Sequence, residues 1–299
     1  MKFQPARLFA LLLALTLLFP AALAAPAETA YYGVPLQEGV TFVDFTGITD
    51  IDPAQVRDML AKYPTITKID MYEARLSTQD MLSLFEEFRQ VDFGFTLKIA
   101  EHTIRTDVTA FSTLHSKYDP RHNTQQLSAL RMCRHLKALD IGHNEVDNID
   151  WLADLPNIRI LIIALNKITD ISVLSNLKDL EYLEMFTNKI VDISPLLACE
   201  KLLDLNIGFN RIEDISPLYE MKQLERLWMY SHRYINQDTT TPEIRQALKD
   251  ALPNCQFNFH NYPTLAGWRE HQRYYVLYEV FKKGVWLPWD AQVPVIKQK

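Results

Sequence analysis

A 22-residue period governs the middle of this 299-residue chain. Ungapped segments begin at Leu136, Ile158, Leu180 and Leu202, and a fifth begins at Leu224. Two of them read LEYLEMFTNKIVDISPLLACEK and LLDLNIGFNRIEDISPLYEMKQ. Apolar residues recur at positions 1, 4, 6, 11, 14, 17 and 20 of the unit. Asn stands at position 9, as Asn144, Asn166, Asn188 and Asn210. One such unit cannot bury its own apolar residues, so successive units must stack into a shared core. The chain is thereby constrained to a solenoid. Positions 1, 4 and 6 predict the inward residues of a short strand, and positions 11 to 20 return the chain along the far side. The Asn column reads as structural, each side chain bonding the backbone of its neighbours where the chain leaves the strand. Ser194-Pro195 and Ser216-Pro217 put a capping hydroxyl before Pro, which favours a short helical turn on the convex side.

The pattern extends upstream in a longer form. Val40-x-x-Val43-x-Phe45 and Ile66-x-x-Ile69-x-Met71 fit the strand signature, and helices are predicted to start at Asp52-Pro53 and at Ser77-Thr78-Gln79-Asp80. Val91-x-Phe93-x-Phe95 predicts a third strand. The closing half of its coil, Leu127-x-x-Leu130-x-x-Cys133, follows an insertion at about 96–126. Thr96–Ile99 and Thr103–Thr106 predict a hairpin there, and His115 to Asn123 an irregular loop. Insertions this long in compact domains are often functional; the alternative is a packing plug between two repeat types. Downstream, His232 stands where the column Asn would, Thr241-Pro242 opens a longer helix, and Cys255-x-Phe257-x-Phe259 predicts the closing strand. Trp268, Tyr274, Tyr275, Tyr278 and Phe281, with Trp286 and Trp289 beyond, read as an aromatic cap over the open end of the core, with a ligand site as the alternative. The expected organisation is a signal peptide over 1–24, an extended lead-in over 25–39, longer repeats over 40–135, regular repeats and one longer final repeat over 136–252, and a cap over 253–299.

The units carrying D-I-S-P-L on the return side resemble the internalin-type leucine-rich repeats of exported bacterial proteins, strongly over 136–223 and more loosely over 40–90 and 224–259. The resemblance implies an α/β fold, a right-handed leucine-rich repeat solenoid with a curved parallel sheet on its concave side and short helices or turns on its convex side. It also implies a non-enzymatic binding scaffold that contacts proteins through the concave sheet.

The start of the chain reads as an address. Lys2 and Arg7 precede an apolar run from Leu8 to Phe19, and Ala22-Leu23-Ala24 supplies a signal-peptidase site, with cleavage expected after Ala24. The run is too short to favour a membrane span, so the product is expected to be secreted or associated with the cell surface, without membrane insertion. The net charge of −6 leaves no basic excess for phosphate, which argues against nucleic acid as a partner. The chain holds no G-x-S-x-G elbow, no Gly-rich phosphate loop and no H-E-x-x-H pair. No catalytic residue, cofactor or metal is therefore expected, and the chain is read as a monomer. Cys133 and Cys199 occupy position 20, a core position, three coils apart. At about 4.8 Å per strand that is roughly 14 Å, beyond the reach of a disulfide.

Strand alternation turns positions 3 and 5 outward on the concave face, with 7 and 8 at its edge. Aromatic and aliphatic residues run there beside carboxylates. The candidate ligand-binding residues are Ile160, Ile162, Tyr182, Glu184, Phe186, Asp204, Asn206, Arg226, Trp228 and Tyr230. A protein or peptide ligand is expected, because aliphatic side chains add little to sugar recognition. The alternatives are a glycan stacked on Trp228, Tyr230, Tyr182 and Phe186, and an architectural role in a larger assembly. The opposing reading is that the insertion or the C-terminal cap folds over the strip.

Overall fold

The computed structural model describes residues 29–99, 101–114, 121–230, 241–260 and 262–296. The segment expected as a signal peptide, His115 and His232 lie outside the described residues. The chain enters through a hairpin of β1 (Thr29–Tyr31) and β2 (Val34–Leu36). A parallel three-stranded sheet follows, from β3 (Phe42–Asp44), β4 (Lys68–Asp70) and β5 (Asp92–Gly94). Its crossovers are α1 (Pro53–Lys62) and α2 (Thr78–Glu87). Asp52 caps α1 by accepting from the Ala54 N–H at 2.8 Å, and Ser77 caps α2 by accepting from Asp80 at 3.1 Å. Helical spacing then buries Val56, Met59 and Leu60 on α1, and Met81, Leu84 and Phe85 on α2.

The segment expected as an insertion does two things. Its first part forms the antiparallel hairpin of β6 (Thr96–Ile99) and β7 (His102–Arg105). Its second part supplies β8 (Ala110–Ser112), a strand at residues to which the sequence pattern assigns no element. β8 pairs in parallel with the first regular strand, so the Val91 strand closes one sheet and β8 opens the next. Thr106 is the physical reason. Its hydroxyl accepts from the Phe95 N–H at 2.9 Å and donates to the Phe93 carbonyl at 2.7 Å, while its own N–H donates to the Phe95 carbonyl at 2.9 Å. These bonds occupy the edge of β5 that a next parallel strand would need.

The coil of β8 continues through α3 (Thr124–Leu127), capped by Asn123. The regular coils then carry β9 (Ala138–Asp140), β10 (Ile160–Ile162), β11 (Tyr182–Glu184), β12 (Asp204–Asn206), α4 (Ser216–Glu220) and β13 (Arg226–Trp228). The longer last coil adds α5 (Pro242–Ala251) and β14 (Gln256–Asn258), before α6 (Gln272–Lys283). β8 to β14 form one parallel seven-stranded sheet in chain order. Its register puts Leu139, Leu161, Leu183 and Leu205 in one buried row. All three cysteines are free, with Cys133 and Cys199 buried.

The Asn side chains bind one coil to the one before it. Asn188 Nδ2 donates to the Ile163 carbonyl of the preceding coil at 2.9 Å and to Met185 of its own at 3.1 Å. Its Oδ1 accepts from the Ile168 N–H at 3.0 Å. Asn166 and Asn210 repeat the arrangement, and Asn144 accepts from the His122 N–H at 2.8 Å. Substituting Asn188→Ala strands the Ile168 N–H and the Ile163 carbonyl inside the core. At about 1–3 kcal/mol per unsatisfied group, urea unfolding is expected to show a stability loss of roughly 2–4 kcal/mol. A loss below about 1 kcal/mol would show that the column is not what ties the coils.

Candidate binding face and its cover

Two rows of side chains stand on the concave surface of the seven-stranded sheet. The parallel register aligns Ala110, Ala138, Ile160, Tyr182, Asp204 and Arg226 in one row. It aligns Ser112, Asp140, Ile162, Glu184, Asn206 and Trp228 in the other. The sheet thus brings the expected ligand-binding residues together, as strand alternation requires. It does not leave them open. Residues 262–293 turn back from β14 and run across this face toward β8, instead of closing the end of the solenoid.

The covering segment is built for that position. His271 caps α6 by accepting from the Arg273 N–H at 3.2 Å, and Gly284 ends it with φ 64°, a left-handed geometry suited to glycine. Val276, Leu277, Val280 and Phe281 lie buried against Ala110, Ala138, Ile160 and Ile162. The two alanines are small enough to let the helix settle closely. Beyond α6, the Trp286 N–H donates to Thr109 Oγ1 at 2.9 Å and fastens the segment at the far end of the sheet.

At the other end the contacts are polar and dense. Asp204, fully buried, accepts from Arg226 Nε at 2.8 Å and Nη2 at 2.5 Å. It also accepts from Arg273 of α6, Nε at 2.7 Å and Nη2 at 2.6 Å. Arg226 donates further to the Trp268 carbonyl at 3.1 Å and lies over the Trp268 ring. Glu184 accepts from Trp268 Nε1 at 2.8 Å and from the Tyr182 hydroxyl. Asn206 Nδ2 donates to the Pro263 carbonyl at 2.8 Å, and Trp228 Nε1 donates to the Leu265 carbonyl at 3.0 Å. Trp289 Nε1 donates to Glu181 at 2.6 Å. The aromatic rings meet in the same way: Trp268 stands 5.4 Å from Tyr182 and 5.1 Å from Trp228.

These contacts correct the expectation of an open strip. Ile160, Ile162, Tyr182, Glu184, Phe186, Asp204, Asn206, Arg226 and Trp228 are all buried beneath the chain's own C-terminal segment. Only Tyr230 of the ten keeps partial exposure. The aromatic rings expected to cap the end and those expected to bind a ligand are one another's partners. The available signal was a carboxylate beside an arginine at position 3 of adjacent coils, Asp204 and Arg226, with a second arginine and three tryptophans in the tail.

Burial and pairing set the charges here. Burial alone would raise Asp204, but hydrogen bonds from Arg226 and Arg273 hold its carboxyl below the usual carboxylate range. Burial pushes Glu184 up, against the hydrogen bonds from Tyr182 and Trp268. Burial, with Arg226 and Arg273 nearby, brings His271 down to about 4, so this capping imidazole is neutral near pH 7.

The surface left open lies at the edge of the sheet, where each strand gives way to its turn. Phe209 packs edge-on against Tyr230 at 5.2 Å and tilts against Tyr262 at 5.7 Å. Tyr262 is 45% exposed. Gly208 makes this crossing possible, because a Cβ there would come within 3.0 Å of the Pro263 ring. Leu165, Thr187, Lys189, Phe209, Arg211 and Tyr262 surround an open cavity of about 480 Å³. A smaller cleft of about 150 Å³ lies beside α6, lined in part by Asp140, His143, Arg269 and Tyr278.

Comparison with known proteins agrees with the repeat reading. Residues 156–198 match the family described as Leucine Rich repeats (2 copies), and residues 133–149 match that described as Leucine Rich repeat. No curated protein matches the chain. Among solved structures, an internalin of Listeria monocytogenes is similar at 24% identity and TM-score 0.40, over 74% of this chain and 68% of that one. A second internalin of the same organism, internalin C2, is similar at 22% identity and TM-score 0.32, over 64% of this chain and 79% of that one. A leucine-rich repeat protein of Leptospira interrogans is similar at 18% identity and TM-score 0.43, over 73% of this chain and 54% of that one.

Two measurements test the cover. Asp204→Ala leaves Arg226 and Arg273 without their buried partner, so a loss of about 3–5 kcal/mol is expected, with faster tryptic cleavage at Arg269 and Arg273. Unchanged protection at both sites would mean that the segment is held by apolar contacts alone. Glu184 gives the opposite sign to Asp204. Its folded pKa lies above the unfolded value near 4.3, so its charged form weakens the fold above that folded pKa and the penalty fades as pH falls through it. Glu184→Gln is therefore expected to raise Tm at pH 8, with the gain shrinking on acidification. A lower Tm at pH 8 would reverse this assignment.

Proposed function

We propose that this leucine-rich repeat protein is an exported, non-enzymatic scaffold that binds a protein or peptide along the aromatic edge of its sheet. The observation that carries the proposal is the half-open cluster of Phe209, Tyr230 and Tyr262 beside a cavity of about 480 Å³. Aromatic anchors that are supported from beneath yet accessible are the usual centres of protein recognition. The ligand therefore meets the turns after the strands, and the rows at positions 3 and 5 serve as the seat of the C-terminal segment. Lys189 and Arg211 are exposed at the rim of the cavity and suit a partner that carries carboxylates next to an apolar anchor. Export is supported by the basic residues, apolar run and Ala22-Leu23-Ala24 site at the start of the chain.

The protein without residues 1–24 serves as bait against culture medium and envelope extracts, beside a Tyr262→Ala/Arg211→Glu variant. Both positions are exposed, so Tm is expected to stay within about 2 °C of the parent. A captured protein, once purified, is expected to bind the variant at least about tenfold more weakly, or about 1.4 kcal/mol. Equal binding by both forms removes the edge as the site, and capture of polysaccharide alone removes the protein ligand.

A further inference from the structure

The inserted hairpin brings together a group of side chains that neither the core nor the aromatic edge uses. Glu101 lies in the turn between β6 and β7, and His102 opens β7 opposite Ile99. His122 arrives from the coil that follows β8, with its side chain 1% exposed. Its backbone is fixed on the solenoid: its N–H donates to Asn144 Oδ1 at 2.8 Å, and its carbonyl accepts from the Glu145 N–H at 2.9 Å. The hairpin thus meets the top of the asparagine column at this point.

The three donor atoms lie within 4.8 Å of one another. Glu101 Oε1 stands 3.4 Å from His102 Nε2 and 3.6 Å from His122 Nε2. The His102 Nε2 is buried and makes no hydrogen bond among the described residues, although a carboxylate oxygen is this close. The two rings face each other edge to plane at 6.0 Å between centroids, and Phe111 packs against His102 at 5.3 Å. Groups that pair directly would close to about 2.7–2.9 Å. Ligands of one four-coordinate ion, at bonds of about 2.0–2.1 Å, instead stand about 3.3–3.4 Å apart. The carboxylate contacts match the second spacing.

We propose that Glu101, His102 and His122 form a binding site for a divalent transition-metal cation of the zinc class. Two imidazoles and one carboxylate are a donor set that suits such an ion and serves calcium or magnesium poorly. The apolar wall at Phe111 and the burial of His122 limit competition from water. The ion would clip the β6–β7 hairpin to the first coils of the seven-stranded sheet, across the junction between the two sheets. Sequence spacing hides the site, because Glu101 and His102 are adjacent while His122 lies in a different coil. For that reason the sequence reading expected no metal.

The test uses the purified protein, stripped with chelator and titrated with Zn²⁺ by calorimetry and with Co²⁺ by visible absorption. One equivalent per chain is expected to bind, with a Kd of about 1 μM or tighter, and Co²⁺ is expected to give the intense visible bands of a four-coordinate site. Zn²⁺ is expected to raise the Tm of the parent protein. Glu101→Gln and His102→Ala are each expected to weaken Zn²⁺ at least about tenfold and to abolish the Tm rise that Zn²⁺ gives the parent. Absence of saturable Zn²⁺ binding overturns the proposal. So does binding of equal strength in both variants, which would place the ion on other surface histidines.

Discussion

A three-residue strand cannot hold its place alone, and every regular strand of this protein is that short. The structure therefore depends on the bonds that each coil makes to the next. The parallel ladder supplies part of them, and the Asn column supplies the rest at the point where the ladder ends. Each Asn amide reaches the preceding coil with both donor and acceptor, so the backbone groups of a buried turn are satisfied without water. Once that linkage repeats every 22 residues, the leucine and isoleucine rows align without further instruction. The same linkage fixes His122 at the start of the column, and so positions the inserted hairpin relative to the regular coils.

A sheet held this way still has a second face. In many repeat structures that face is left to solvent or to a ligand. Here it is apolar at one end and charged at the other, and the C-terminal segment matches both. The alanines of β8 and β9 and the isoleucines of β10 receive the aliphatic side of α6. The buried carboxylate of Asp204 receives two guanidinium groups, one from the sheet and one from the segment. Desolvating those ions is costly, and the bidentate geometry offsets the cost only while both arginines stay in place. Apolar contacts supply the affinity of the segment for the sheet. The ion network supplies its register, since a shift of one helical turn would separate Arg273 from Asp204.

The fold was legible because its signal is periodic. Seven apolar positions per unit identify the strand, the return and the core, and the Asn at position 9 identifies the turn. The junction at Thr106 was not legible, because one hydroxyl that blocks a sheet edge leaves no periodic trace. The covered face was half legible. Outward positions 3 and 5 were identified correctly as a strip rich in aromatic and charged residues. What occupies the strip depends on where residues 262–293 travel, and pattern at the level of single coils carries no information about that path. Composition did contain a hint, since an aromatic strip and an aromatic tail in one chain are each other's nearest available partners.

The turns at position 8 stand at the edge of the sheet. His143, Leu165, Thr187 and Phe209 all adopt left-handed backbone, with φ between 53° and 59°. For residues with a Cβ this conformation is disfavoured by about 1–2 kcal/mol, and glycine would relieve it. The strain is sustained by the bonds around it: the Leu165 N–H donates to the Phe186 carbonyl at 2.9 Å and the Thr187 N–H to the Gly208 carbonyl at 2.8 Å. A chain that needed only the turn would be served best by glycine at each of these places. This one keeps a leucine and a phenylalanine there, both partly exposed, and Phe209 packs against Tyr262 at the start of the covering segment. The turn itself does not require the strain kept at Leu165 and Phe209, and that strain supports the proposal that this edge serves contact.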